Sequence, residues 1–269
     1  MSGRVYGSFF RLRFINGLQY RAAAYAGVAT QFAWGFMEIL LFHAFYQTDP
    51  AAFPMEFSQL AAYVWLQQAF LALFMLWFFE NEIFDGILSG TIAYELARPT
   101  DLYVMWFTRS AANRLSRAVL RCMPILVVAV FLPEPFRLTA PANAAAFGWF
   151  VLTLVLGLLT VVAFSMLVYI SAFYTLSSQG IRLVVSAVGD LLMGGLIPLP
   201  FMPEGVQKVL ELTPFAAMQN LPLRAYTGQL AGGELLWAAV LQVFWLAMLI
   251  LLGRLWMKRA LRRVVIQGG

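Results

Sequence analysis

Gln31, Glu38 and Asp190 are polar side chains set inside otherwise apolar stretches of the chain. A carboxyl group at the centre of a bilayer costs roughly 3 kcal/mol, so each of these asks for a polar partner or a function. Glu38 follows Gln31 by two helical turns, with Trp34 between and Gly27 a turn before, which makes one small-and-polar stripe. Asp190 sits among Ser186, Gly189, Met193 and Gly194, where small residues let a second helix approach closely. Two readings stay open for the carboxyls: bonding across helix contacts, or lining a path that attracts a cationic substrate. A different pattern lies between them in sequence. Glu80, Glu82 and Asp85 accompany Ile83, Phe84, Ile87 and Leu88 at helical spacing, the composition of a short amphipathic helix at a water boundary.

Other chemistry is missing. No G-x-x-x-x-G-K-[ST] occurs, and the two lysines, Lys208 and Lys258, lie outside any glycine-rich loop, so the chain has no such cradle for ATP phosphates. One histidine, His43, cannot build a histidine-based metal site, and one cysteine, Cys122, excludes an intramolecular disulfide or a thiolate zinc cluster. No Ser-His-acid set or paired-carboxylate spacing stands out. The expectation is a non-catalytic chain with no bound cofactor.

The elements that hold these residues follow from composition. Of 269 residues 62% are apolar and 12% charged, and mean hydropathy is +0.78. Soluble domains average about 25% charged residues, so this chain could not cover a water-facing surface. Six crossings of roughly 20 residues would use about 120, leaving connections but no room for a fused catalytic or nucleotide-binding domain. Apolar runs bounded by charge, Pro or Gly place crossings at 22–46, 59–79, 119–132, 144–174, 181–199 and 235–256. The third is short, rising only about 21 Å, and must borrow residues from its arginine-bearing N-terminal side. Pro124 lies within it. The run after Arg21 is too long for a signal-peptide core, so the N-terminus is expected to be retained.

Orientation follows from Lys and Arg. With six crossings and both termini cytoplasmic, all 18 basic residues fall inside except Arg137, Lys208 and Arg224. Deleting the third crossing would spoil that asymmetry, so the positive-inside rule favours six. The excess of basic residues is thus a matter of membrane orientation and not of nucleic acid.

Three connections have character. Residues 1–21 mix arginines with Phe9, Phe10, Leu12, Phe14, Ile15 and Leu18, as an interface helix would. Residues 80–118 are too many for a hairpin; Arg98-Pro99 stops the first amphipathic segment, and Asp101 is placed to cap the next helix. Arg114, Arg117 and Arg121 then form one stripe, suited to snorkelling toward anionic headgroups or to docking a cytoplasmic partner. Residues 200–234 carry Pro203, Pro214 and Pro222 yet are apolar between the breaks, which predicts two short helices dipping into the outer leaflet.

In this order and spacing the chain resembles the permease subunits of type-2 ABC exporters, the six-helix branch. The resemblance rests on Gly90, Leu96, Arg98 and Pro99 in the first cytoplasmic loop, on Ile197-Pro198-Leu199-Pro200-Phe201, and on Pro214-Phe215 and Tyr226-Thr227-Gly228. It implies an all-α polytopic membrane protein with an interface helix, a cytoplasmic coupling helix near 83–96, and extracellular re-entrant helices with Pro203, Pro214 and Phe215 at the outer gate. It also implies two ABC ATPase subunits per complex, which bind the ATP, a second or sister permease, and a place among the lipids of a bacterial plasma membrane. Coupling would run through Glu80, Glu82, Ile83, Phe84, Asp85, Ile87, Leu88, Arg98 and Pro99. The substrate would be amphipathic, hydrophobic or cationic, as drugs and lipids are. A secondary transporter and a membrane-embedded lipid-modifying enzyme remain alternatives.

Overall fold

The computed structural model describes residues 3–19, 21–50, 53–175 and 177–263, and their regular structure is entirely helical. In chain order the helices are α1 (Gly3–Gly17), α2 (Arg21–Thr48), α3 (Phe57–Phe74), α4 (Asn81–Leu88), α5 (Ile92–Leu96), α6 (Leu102–Val130), α7 (Ala144–Ser171), α8 (Gln179–Leu192), α9 (Glu204–Glu211), α10 (Pro214–Met218), α11 (Asn220–Thr227) and α12 (Gly232–Leu261). Three stretches within them, Ala24–Thr48, Ala144–Ser171 and Gly232–Leu261, are long and apolar enough to cross a membrane.

The other long helices depart from that pattern for physical reasons. α3 carries Gln59, Gln67 and Gln68, yet it is the most enclosed of the long helices: its residues from Leu60 to Ala69 are all buried. Its surroundings are protein, between α2, α6 and α11, so it needs no lipid-compatible surface. α6 is a single helix of 29 residues that takes in the arginine stripe, with Pro124 inside it. The expected connection at 80–118 therefore ends at Asp101, whose carboxylate accepts from Val104 N at 3.0 Å and caps α6 as its spacing predicts. By contrast, the helix expected through residue 199 stops at Leu192. α8 has 14 residues, about 21 Å of rise, and non-helical backbone follows, with Gly194 at φ +82°.

The N-terminal helix α1, expected at the membrane interface, runs beside the first half of α6. Asp101 N donates to Tyr6 Oη at 3.1 Å near one end, and Gly17 abuts Ser116 near the other. None of its residues is fully buried, and Leu12 and Ile15 face outward at 65% and 47% exposure. That is the form of a helix with one side on protein and an apolar side left for a membrane surface.

α7 forms the spine of the bundle, packing on α12, α11, α10 and α6. Gly157 is what permits the approach of α10, because a Cβ there would collide with the carbonyl of Met218. Two apolar cores result. One gathers Phe74, Phe84, Trp106, Met166 and Tyr169 toward α4; the other gathers Ile39, Tyr63, Trp65, Ile125 and Phe150 between α2, α3, α6 and α7.

Candidate functional site

The expected coupling segment is two short helices, α4 and α5, parted at Ser89 to Thr91 with Gly90 at φ +77°. A one-piece helix over Ile83–Leu96 is thereby corrected: glycines at 86 and 90 weaken it, and the left-handed turn at Gly90 ends the first piece. α4 is amphipathic, and its apolar side does not face a partner. Ile83 and Phe84 are 2% and 1% exposed, with the Phe84 ring 5.2 Å from Tyr169 and 5.9 Å from Phe79. Glu80 is also enclosed, and its backbone N–H donates to Tyr169 Oη at 2.9 Å. Glu80, Ile83 and Phe84 thus anchor α4 from within. Glu82, Asp85, Leu88, Arg98 and Pro99 are exposed, and Ile87 is half-buried.

Charged contacts tie α4 directly to three other helices, and through Arg109 to α5. Glu82 lies 3.5 Å from Arg13 of α1 and 3.6 Å from Arg109 of α6. Arg109 also meets Glu95 of α5 at 3.0 Å, and Trp106 Nε1 donates to the same carboxylate at 2.7 Å. Arg182, in the first turn of α8, donates to Asn81 at 2.9 Å and lies 4.9 Å from the centre of the Phe84 ring. A displacement of α4 is therefore felt at once by α1, α6, α7 and α8. Glu95 and Arg182 were not among the expected site residues; their partners lie 14 and 101 positions away in sequence.

Arg114 has a role that neither snorkelling nor docking describes. It is fully buried, and its guanidinium donates to the carbonyls of Leu73 at 3.3 Å, Met75 at 2.8 Å and Phe78 at 2.9 Å, and to Ser165 Oγ at 3.3 Å. α3 ends at Phe74, and the chain from Met75 to Glu80 is not helical although much of it is buried. Those carbonyls have lost their helical partners, and the planar fork of an arginine spans several of them at once.

The polar groups expected along a path are placed on two helices that flank α3. Gln31 is 3% exposed, donates to Gln68 O at 2.9 Å, and keeps one side-chain oxygen without a partner. One carboxylate oxygen of Glu38 is buried and unpartnered on the same helix, as is one of Asp190 on α8. Trp34, by contrast, is 61% exposed and leaves the polar stripe. Gly189, next to Asp190, faces the Leu76 side chain, so α8 rests on the non-helical segment that follows α3.

The segment at 200–234 folds as three short helices where two were expected. Pro203 and Pro214 open α9 and α10 at their first turns, and Gly228, at φ +77°, closes α11. α9 is largely exposed, whereas α11 is buried along nearly all its length. Phe215 packs on Phe164 of α7 at 5.4 Å. The backbone breaks are met by neutral side chains. Gln59, Tyr63 and Gln67, one turn apart on α3, donate to Thr227 O at 3.2 Å, Asn220 Oδ1 at 3.2 Å and Gly195 O at 2.8 Å. Gln242 of α12, fully buried, donates to Thr153 O at 2.9 Å and Ala217 O at 2.7 Å. An ion pair between Arg224 and Glu211 joins α11 to α9. These amides were missed because their partners lie 25 to 168 positions away, and the carbonyls of Gly195, Ala217 and Thr227 become acceptors only where helices end; the four-residue spacing of Gln59, Tyr63 and Gln67 was the available signal.

A family model for ABC-2 family transporter proteins matches residues 32–268. The chain belongs to the ABC-2 transporter family. Comparison with curated proteins found no match. Membership makes this ABC-2 protein an integral membrane subunit concerned with transport rather than with catalysis, and it implies partnership with an ABC ATPase. The long apolar helices agree with that setting.

Proposed function

We propose that the chain is the permease of an ATP-driven ABC exporter, forming the substrate path and taking its motion from a separate ATPase. The observation that carries this reading is the junction at α4, whose buried side grips Tyr169 of α7 and Arg182 of α8 while Glu82, Asp85 and Leu88 remain outside. A partner that pushes on the outer side moves helices that reach the bilayer, and Asp190 lies only eight residues beyond Arg182 on the same α8.

In this reading the chain crosses the bilayer six times, through α2, α3, α6, α7, α8 with its non-helical extension, and α12. Both termini lie in the cytoplasm, beneath a bacterial plasma membrane. Two permease copies, or this chain and a sister, pair with two ATPases that bind the ATP. Gln31, Glu38 and Asp190 supply polarity to the path, and buried carboxyls there favour cationic or amphipathic substrates over anions. Pro203, Pro214 and Phe215 belong to the outer closure, which changes as helix packing switches between two arrangements.

The test is reconstitution with an ABC ATPase identified by co-purification with this chain. The complex is expected to hydrolyse ATP and to move an amphipathic cation across a vesicle membrane, with Asp190→Asn slowing the cation more than a neutral amphiphile. Failure of any ABC ATPase to co-purify, or ATP-independent transport, would overturn the proposal.

A further inference from the structure

A polar cavity of about 320 Å3 lies where α1, α2 and α6 meet, its charged lining made of Arg13, Arg117 and Arg121 with Glu80 and Glu82. Its charges are incompletely matched. Arg13 is held near Glu82, but among the described residues neither Arg117 nor Arg121 has a carboxylate within ion-pair distance. Arg117 lies 3.6 Å from the centre of the Phe78 ring, and Nε of Arg121 is buried without a hydrogen-bond partner. Opposite them, one oxygen of Glu80 is likewise buried and unpartnered. Two arginines without an ion-pair partner and a carboxylate with one unpartnered oxygen thus line one pocket.

A bare anion would suit the arginines and be repelled by Glu80; a bare cation would meet the reverse. A dipolar ligand with both signs satisfies all three groups. The position adds a further constraint. Leu120 and Ala24 give the lining an apolar part, and beside them α6 exposes Val119, Met123 and Val127 at successive turns, an apolar track for an acyl chain. The neighbouring α1 has its own outward apolar side at Leu12 and Ile15.

We propose that this cavity binds the headgroup of one zwitterionic phospholipid carrying a phosphate and a primary ammonium, as phosphatidylethanolamine does. The phosphate lies on Arg117 and Arg121, where guanidinium groups make charge-assisted bonds to its oxygens. The ammonium lies at Glu80, to whose free oxygen it brings both a positive charge and an N–H donor; a quaternary choline has no donor, and a glycerol headgroup has donors but no positive charge. The acyl chains follow the Val119–Met123–Val127 track. Gly27 keeps the site open, because a Cβ there would fall 2.6 Å from the guanidinium carbon of Arg121 and displace it. A bound lipid would hold α1 against α2 and α6 from the membrane side. In the orientation proposed above this lipid belongs to the inner leaflet; the binding chemistry does not depend on that orientation.

The test is native mass spectrometry of the purified full-length chain released from bilayers of equal phosphatidylethanolamine, phosphatidylglycerol and phosphatidylcholine. Retention of the ethanolamine lipid at about fivefold or more over either other lipid is expected. R117Q/R121Q is expected to lose retention, and E80Q to lose the preference for ethanolamine over glycerol. G27A, which leaves every charge in place, should weaken retention by displacing Arg121, and it serves where a charge variant fails to fold. Equal retention of the three lipids, or unchanged retention in both R117Q/R121Q and G27A, would overturn the proposal. So would binding of soluble glycerophosphoethanolamine as tightly as the lipid, measured by calorimetry in phosphatidylcholine nanodiscs, since the site would then serve a free metabolite. None of these readouts depends on ATPase coupling or transport, so the permease assignment stands or falls separately.

Discussion

The two ends of this ABC-2 protein are held together by different chemistry. At the α4 end, ion pairs and arginine contacts join helices distant in sequence: Arg13 with Glu82, Arg109 with Glu82 and Glu95, and Arg182 with Asn81. At the α9–α11 end, the links from the long helices are neutral amides and a hydroxyl, Gln59, Tyr63, Gln67 and Gln242. Water explains the choice. Glu82 is 68% exposed, so its pairs form where charge is well solvated and can be exchanged at small cost. Gln242 is wholly buried, where an unpaired charge would be expensive and an amide can satisfy backbone carbonyls without one. The first kind of contact suits a surface that is pushed and released. The second suits a unit that must hold irregular backbone together away from water.

Arg114 joins the two strategies, since it is a buried charge used as a backbone cap, and its loss should have the largest effect. Arg114→Met leaves the carbonyls of Leu73, Met75 and Phe78 unpaired and is expected to cost about 3–5 kcal/mol. The unfolding midpoint in detergent checks this. Arg114→Lys should recover only part of the loss, because a point charge cannot reproduce the fork, and a full rescue would show that charge alone matters. Next comes Gln242→Leu, expected to cost about 2 kcal/mol by abandoning buried acceptors. Its signature is faster hydrogen exchange across 213–220 with little change in α4; uniform acceleration would deny that this end is a separate unit.

Glu82→Gln ranks third, at about 0.5 kcal/mol, as exposed pairs do. Here salt is the sharper probe. Raising ionic strength from 0.1 to 1 M shortens the screening length from about 10 to about 3 Å, so protease access to α1 should rise with salt in the wild type and not in Glu82→Gln. Cleavage between α9 and α11 should ignore salt, apart from the Arg224–Glu211 pair. Arg182→Ala is expected to change stability least. It should reduce transport at unchanged ATPase binding, because it severs α4 from α8 while leaving the outer side of α4 intact.

The amino-acid pattern reveals the helical class, the N-terminal helix, the amphipathic α4 and the cap at Asp101, because each rests on local periodicity or a local hydrogen bond. Two kinds of feature escape it. One is the break after Phe74: residues 75–79 are as apolar as the helix before them, and only the distant Arg114 makes a non-helical path affordable there. The other is the inward side of α4. Helical spacing shows that Ile83 and Phe84 share a side, yet whether that side meets a partner or Tyr169 depends on a residue 85 or more positions away. Asp190 was legible as an unusual carboxyl in an apolar run, while the early end of α8 at Leu192 was hidden by the apolar residues beyond it.

The central claim, that an ATPase acts on the outer side of α4, is tested most directly by D85K/L88D, which alters only exposed residues and spares Glu82 and its ion pairs. Purified with its ATPase, the wild-type chain should retain the partner and show transport-linked hydrolysis. The variant should lose at least tenfold in partner retention at an unchanged unfolding midpoint. Undiminished retention and transport in a folded D85K/L88D protein would contradict the account.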